Sequence, residues 1–367
     1  MKKHNYRWPV IYSILLTSYT IFTVLDVFVI PHATIKLSSV TSSSVASGTS
    51  SGTDSEALSS SENNASSSKS ASGGATWYNS TGSTVSSSKT NTTSASSVSS
   101  STSTSDSKSA SNSTSSSSGN VTETDDGWIY KSDDVTITIT KKSTDDTEVY
   151  IADVQITDAS LLQSGVANGT LGRNITEKTS EIAKEVNAIL AINGDFYGFR
   201  DTGYVVRNGY LYRDTKSSDD TEDLVVYSDG TMGIIKEGDI SASELVKKGA
   251  VQVYSFGPGL ISNGEIAVDE NSEVDQSMTS NPRTAIGYYS ALHYCFVVSD
   301  GRTSESAGLS LYQLATLMKN LGCTTAYNLD GGGSSTMYFN GNVINKPTTN
   351  GNNISERSVS DIVYIGE

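Results

Sequence analysis

Cysteine and histidine are almost missing: the 367 residues hold two cysteines and three histidines. So few of either leave no Cys/His cluster, and no zinc site is expected. Calcium-loop spacing is also lacking, although acidic loops leave that ion open. No cofactor is expected. Basic residues are outnumbered, 25 Lys and Arg against 40 Asp and Glu, for a formal net charge of −15. No basic stripe crosses the acidic background, which argues against a nucleic-acid partner. Large apolar residues are scarce from 38 to about 125, where Ser, Thr, Ala, Gly and Asn dominate. Such a stretch cannot bury enough apolar surface to offset its ordering entropy, so it is expected to be disordered.

What is present divides the chain into three parts. In residues 1–37, Lys2, Lys3 and Arg7 precede an apolar run from Val10 to Ile30, bracketed by Pro9 and Pro31. A helix needs about 20 such residues to span a bilayer, and basic residues before the span keep that end cytoplasmic. The expectation is an uncleaved signal-anchor in the cell membrane, single-pass, with everything after it extracellular. A cleaved signal peptide is the competing reading. Residues 38–125 then form a Ser/Thr-rich tether whose root-mean-square reach is about 50 Å. Residues 126–367 suit one folded head. Cys295 and Cys323 both fall in it, either joined as a disulfide or as two buried thiols.

The head alternates strand and helix signals. Val135-Thr-Ile-Thr-Ile-Thr140 has the period of a half-buried strand, and Glu148 to Ile156 follows after a turn at Thr144–Thr147. A helix is expected over Thr176–Asn187. Ala188-Ile-Leu-Ala-Ile192 reads as a central strand covered on both faces. Ser241 with Glu244, and Ser310 with Gln313, are capping boxes for two more helices, each stopped by a glycine, Gly249 and Gly322. Strands over 284–289 and 292–298, then the helix from Ser310, then a strand to Asn328, read as a crossover. It would bring Asp300 and Asp330 to the same strand edge, where α/β sheets bind ligands. The predicted class is α+β (mixed α/β): a mixed sheet core flanked by helices.

The densest chemistry lies in Asn328-Leu-Asp-Gly-Gly-Gly-Ser-Ser335. Three consecutive glycines disfavour helix and strand but let backbone N–H groups approach a ligand, here beside one carboxylate, Asp330. A tight hairpin turn is the plain alternative. Three further islands accompany it: Asn193-Gly-Asp-Phe-Tyr197, Asn281-Pro-Arg-Thr-Ala-Ile-Gly287 and Ser299-Asp-Gly-Arg302; Arg357-Ser-Val-Ser-Asp361 follows before a last strand. In this order and spacing the islands resemble the phosphodiester glycosidase (NAGPA-domain) family over about 130–367.

That resemblance implies hydrolysis of a sugar-1-phosphodiester in a cell-surface or exopolysaccharide glycopolymer. The catalytic candidates it and the chemistry suggest are Asp330, Arg283, Asp300 and Asp195. Asn193, Gly194, Thr284, Arg302, Asn328, Gly331, Gly332, Gly333, Ser334 and Arg357 are the substrate-binding candidates. Asp330 would act at the anomeric carbon, and Arg283 would hold phosphate with help from Arg302 or Arg357. Asn193 and Ser334 would orient sugar hydroxyls. Relatives can carry Gly at Asp195 and Gln at Arg302. Two other readings stay open: a non-catalytic glycopolymer-binding or assembly protein, and an esterase using Ser334, for which no well-placed histidine is evident.

Overall fold

The computed structural model describes residues 12, 13, 15–20, 34–36, 119–274 and 280–366. Most of the expected anchor and the tether up to 118 lie outside them. Residues 12–13 and 15–20 are helical, but no described helix is long and apolar enough to cross a membrane. In the head, strand structure begins at Asn120, ahead of the expected position 126.

Side-chain alternation explains the layering, because successive residues of a strand face opposite sides. A nine-stranded sheet and two five-stranded sheets turn one face each to a common core. Tyr294, Phe296 and Val298 come from the first, Leu190 and Ile192 from the second, and Leu224 and Val226 from the third. The odd-numbered neighbours go the other way, and each outer face is closed by one helix. Cys295 and Val297 lie under helix Leu311–Asn320, Ala191 under Thr179–Glu185, and Val225 under Ala242–Lys247. Both expected capping boxes are formed, Ser241 with Glu244 and Ser310 with Gln313. The first helix starts later than expected, at Thr179 with Lys178 as its cap residue. Cys295 and Cys323 are free, buried thiols.

The architecture is richer in strand than the sequence reading foresaw, and the expected mixed sheets are antiparallel at every described strand pairing. The reason lies in the 292–328 segment. Strands His293–Ser299 and Thr325–Asn328 do run the same way, joined by a helix as expected. Strand Arg283–Ser290 sits between them, however, and pairs antiparallel with both. The crossover therefore steps over a hairpin partner, and Asp300 and Asp330 still leave the same sheet edge. Ala188–Ile192 behaves as read: Leu190–Asn193 is the fully buried middle strand of its sheet.

One buried acid stands out in strand Glu222–Tyr227. Asp223 is wholly buried, and burial, with Glu237 as neighbour, pushes its pKa up to about 9 against the pull of Ser255. Unfolded, the group titrates near 3.9, so the folded state holds the extra proton and loses stability as pH rises between those values. Asp223→Asn, which mimics the neutral acid, should flatten that slope and make the protein at least as stable as wild type at pH 8. Urea melts from pH 5 to 9 check this; an unchanged slope would count against it.

Candidate active site

The edge where Asp330 emerges is assembled by an amide. Asn193, at the end of its strand, is wholly buried, and its Nδ2 donates to the Asp330 carbonyl at 2.7 Å. Its Oδ1 accepts from Thr284 Oγ1 at 2.8 Å and from the Thr336 N–H at 3.2 Å. Three chain segments are thus fixed by one side chain. Asn193 and Thr284 position the site and do not line it, which corrects their place among the substrate-binding candidates: both are 0 % exposed with their polar atoms already engaged. Asn328 likewise turns inward, its Nδ2 donating to the Gly257 carbonyl at 2.8 Å.

The glycines act by what they leave out. A Cβ on Gly194 would lie 2.3 Å from Asp361 Oδ1, and one on Gly333 2.3 Å from Thr349 Oγ1. A Cβ on Gly331 would press on the Pro282 carbonyl oxygen at 2.9 Å. Gly332, at φ 61°, donates its N–H to that same carbonyl at 2.8 Å and would place a Cβ 3.1 Å from the Arg302 guanidinium. The Asp330 turn is therefore pressed directly against Pro282-Arg283 and Arg302.

Asp330 is held at one oxygen. Ser334 Oγ donates to Oδ2 at 2.6 Å, and Arg357 Nη2 donates to it at 3.0 Å while its Nε donates to Ser334 Oγ at 2.9 Å. The aspartate side chain keeps 12 % of its surface exposed and Arg357 keeps 41 %, so the group opens to solvent. Burial raises the Asp330 pKa above the ordinary carboxylate value, opposed by Arg357 and Ser334. Arg302 sits alongside, with Nε and Nη2 donating to Asn281 Oδ1 at 3.0 and 2.7 Å and Nη1 to the Thr349 carbonyl. Its backbone is left-handed, φ 60°, a conformation that costs an arginine about 1–2 kcal/mol. Arg283 is buried and donates Nε to the Leu309 carbonyl at 2.9 Å; burial, then Arg302, lowers its pKa to about 10. Burial and Arg357 likewise lower that of Arg302, while Asp330 opposes. Arg302 thus lies within electrostatic reach of Arg283, Arg357 and Asp330, Arg357 is paired with Asp330, and Glu273 faces Arg283, so three guanidiniums outnumber two carboxylates here in an acidic protein. Such a surplus suits an anion, and Arg in particular suits phosphate.

Two of the four catalytic candidates have other work. Asp195 accepts from Arg207 Nη2 at 2.8 Å, the Tyr197 N–H at 2.9 Å and the Ser255 N–H at 3.0 Å, with nothing of the side chain exposed. It ties loops together and cannot meet a substrate. Asp300 is buried and accepts from the Lys346 N–H at 2.7 Å and Asn345 Nδ2 at 3.2 Å, so it anchors the 345–346 loop. Sequence reasoning missed Arg207, whose Nε also donates to Asp361 Oδ2 at 2.7 Å in a fully buried ion cluster. The signal was there: an arginine ending Val205-Val206 in an apolar strand needs buried carboxylates. His293, the one histidine among the described residues, pairs with Asp153 at the opposite end of its strand from Asp300. It gives Ser334 no base.

The family model described as phosphodiester glycosidase (NAGPA) matches residues 186–366. Over those residues the chain is similar to the phosphodiester glycosidase family. The chain is 30 % identical over 238 residues to the SPbeta prophage-derived uncharacterized protein YomE of Bacillus subtilis (strain 168), spanning 62 % of this chain and 36 % of that one. It is 27 % identical over 206 residues to N-acetylglucosamine-1-phosphodiester alpha-N-acetylglucosaminidase of Mus musculus, 52 % of this chain and 39 % of that one. The chain thus spans well under half the length of these curated relatives. The fold is similar to the zebrafish N-acetylglucosamine-1-phosphodiester alpha-N-acetylglucosaminidase catalytic domain auto-inhibited by its pro-peptide, with TM-score 0.50 and 23 % identity over 64 % of this chain and 83 % of that one. The phosphodiester glycosidase match includes all the islands at Asn193, Arg283, Asp300, Asp330 and Arg357.

Proposed function

We propose that the head hydrolyses a sugar-1-phosphodiester, cleaving the bond between the anomeric carbon and the phosphate oxygen. The single observation that carries this is the partly exposed Asp330 carboxylate facing Arg357 and Arg302, with Arg283 beside Arg302. Breaking an anomeric C–O bond builds positive charge on the sugar, which a carboxylate stabilises or attacks. The departing phosphomonoester has a second pKa near 6, so it leaves as a stable anion with little need of a general acid. Guanidiniums that hold it bidentately supply the rest. Matching curated relatives act on N-acetylglucosamine-1-phosphodiesters by name, and we extend that sugar to this protein as the first substrate to try. The apolar run 10–30 and the Ser/Thr tract support a head tethered outside the cell membrane, acting on surface or exopolysaccharide polymers.

Incubating the full-length protein with a synthetic N-acetylglucosamine-1-phosphodiester should release free sugar; no release at micromolar enzyme over hours would refute the reading. A pH profile adds a sharper check. Burial raises the Asp330 pKa, and the proposed step needs the carboxylate, so activity should fall as pH drops through that raised value. The acid limb of kcat/KM should lie above about 4, the ordinary aspartate value. A limb at or below it would contradict the assignment.

The Asp330–Arg357 ion pair favours a second reading, a non-catalytic glycopolymer-binding protein, because it leaves the carboxylate partly neutralised. Tight binding of the phosphodiester without turnover would select that reading.

A further inference from the structure

Strand order fixes what stands on each side of Asp330. Strands Gly259–Ser262, Thr325–Asn328, Arg283–Ser290 and His293–Ser299 lie side by side in that sequence. At the site edge they present, in the same sequence, Phe256, Asp330, Arg283 and Arg302. The arginines of this row are all to one side of the carboxylate, and the phenylalanine is on the other. The loop 194–200 reinforces the phenylalanine side, and the Asp330 N–H donates to the Gly194 carbonyl at 3.3 Å, holding that loop against the Asp330 turn. Two residues further on, Phe196 stacks on Phe199 with ring centroids 4.6 Å apart and planes 20° from parallel. The Arg200 guanidinium lies 5.7 Å from the Phe196 ring and 5.2 Å from the Phe256 ring, and its Nη1 donates to the Ser255 carbonyl at 3.1 Å. Two loops are thereby locked into one aromatic platform. Phe199 is 38 % exposed, and Phe196 and Phe256 are half-buried. Phe256 packs in part against the core, but the core does not need the exposed Phe199, since the buried Tyr197 already anchors that loop.

We propose that Phe196, Phe199, Phe256 and Arg200 form the saccharide subsite, on the flank of Asp330 opposite Arg283 and Arg302. The apolar C–H face of a pyranose ring lies on the aromatic rings, Arg200 bonds its hydroxyls, and the phosphate extends across Asp330 to the arginines. This assignment rests on the hydrolase reading for the ligand's chemistry, and it adds the direction in which the ligand lies. An aromatic platform suits a sugar because one pyranose face is apolar and its rim is polar, which stacked rings beside a guanidinium match. The opposite polarity would place a phosphate on aromatic faces and a sugar among cations, matching neither.

The test separates sugar from phosphate. Binding of free N-acetylglucosamine and of inorganic phosphate to the full-length protein is measured by NMR titration for wild type, Phe199→Ala, Phe256→Ala, Phe199→Tyr and Arg302→Ala. Each phenylalanine-to-alanine change should weaken sugar binding about tenfold, roughly the worth of one lost ring contact. Phosphate affinity should stay within about twofold, on the same arithmetic. Arg302→Ala should do the reverse, and Phe199→Tyr should keep sugar binding. Sugar affinity unchanged in both alanine variants, absent in wild type, or lost in step with phosphate affinity would overturn the proposal. Thermal melts of the exposed Phe199 variants show that the fold persists. Turnover of the phosphodiester is followed in parallel: expected binding shifts without turnover would sink the hydrolase reading alone, and turnover indifferent to both phenylalanines would sink the subsite alone.

Discussion

Asp330→Asn is expected to lower kcat/KM for a sugar-1-phosphodiester by about a thousandfold or more, equivalent to about 4 kcal/mol of transition-state stabilisation. The substitution keeps size and shape but removes the negative charge that faces the developing oxocarbenium ion. It should cost little in stability, because Arg357 is 41 % exposed and water can solvate it once its partner is neutral. Phosphate affinity should rise or hold, since the carboxylate repels an anion and its loss leaves Arg302 and Arg357 less compensated. That combination, activity gone with binding kept, distinguishes a catalytic carboxylate from one that shapes the turn. Turnover within tenfold of wild type, in a protein that melts normally, would remove Asp330 from the chemistry.

Arg207→Met carries the second large expected effect, and it falls on the fold. Arg207 is fully buried, bonded to Asp195 and Asp361, and packed 4.3 Å from the Tyr254 ring and 5.4 Å from the Tyr197 ring. Methionine fills much of the space but leaves two buried carboxylates without a counter-ion. Breaking a buried pair in this way costs about 3–5 kcal/mol, against a typical domain stability of about 5–15 kcal/mol. The loss should depend on pH with a definite sign. Burial already raises the Asp361 pKa against the pull of Arg207, and removing the arginine raises it further. A carboxyl whose folded pKa lies above its unfolded value favours folding most when protonated, so the variant should regain stability as pH falls from 8 towards 5. Urea melts at those two pH values test it. A variant within about 1 kcal/mol of wild type at pH 8 would show that the cluster is not what holds these loops together.

The legible parts of this molecule were those written in local chemistry. Ser241 with Glu244 and Ser310 with Gln313 announce helix starts because each motif satisfies its own backbone donors. The strand at 190–193 shows through its unbroken apolar run, and the turn at 144–147 through Asp145 and Asp146, which both take positive φ. The Asp330 turn, Arg302 and Arg357 stood out as candidates because glycines, carboxylate and guanidiniums have few other uses at such density, and the fold brings them together. What remained hidden was set by pairing between distant strands. Nothing in residues 283–328 alone says that the middle strand slips between the other two, so the antiparallel order stayed out of view. The same blindness misplaced Asp195: its neighbours Asn193 and Phe196 suggest a site, but its fate depends on Arg207 and the Ser255 N–H, which only the folded chain brings to it. Asn193 shows the subtler version, a residue picked out as a sugar ligand whose side chain instead holds Thr284, Thr336 and the Asp330 backbone in register.

The most direct test of the whole account is hydrolysis in water enriched in oxygen-18, with the products analysed by mass spectrometry. Cleavage at the anomeric carbon, helped by Asp330 and with phosphate held by the arginines, places the heavy oxygen on the released sugar and none on the phosphomonoester. Label appearing on the phosphate instead would mean that water attacks phosphorus, and Asp330 would then have no part in the reaction assigned to it.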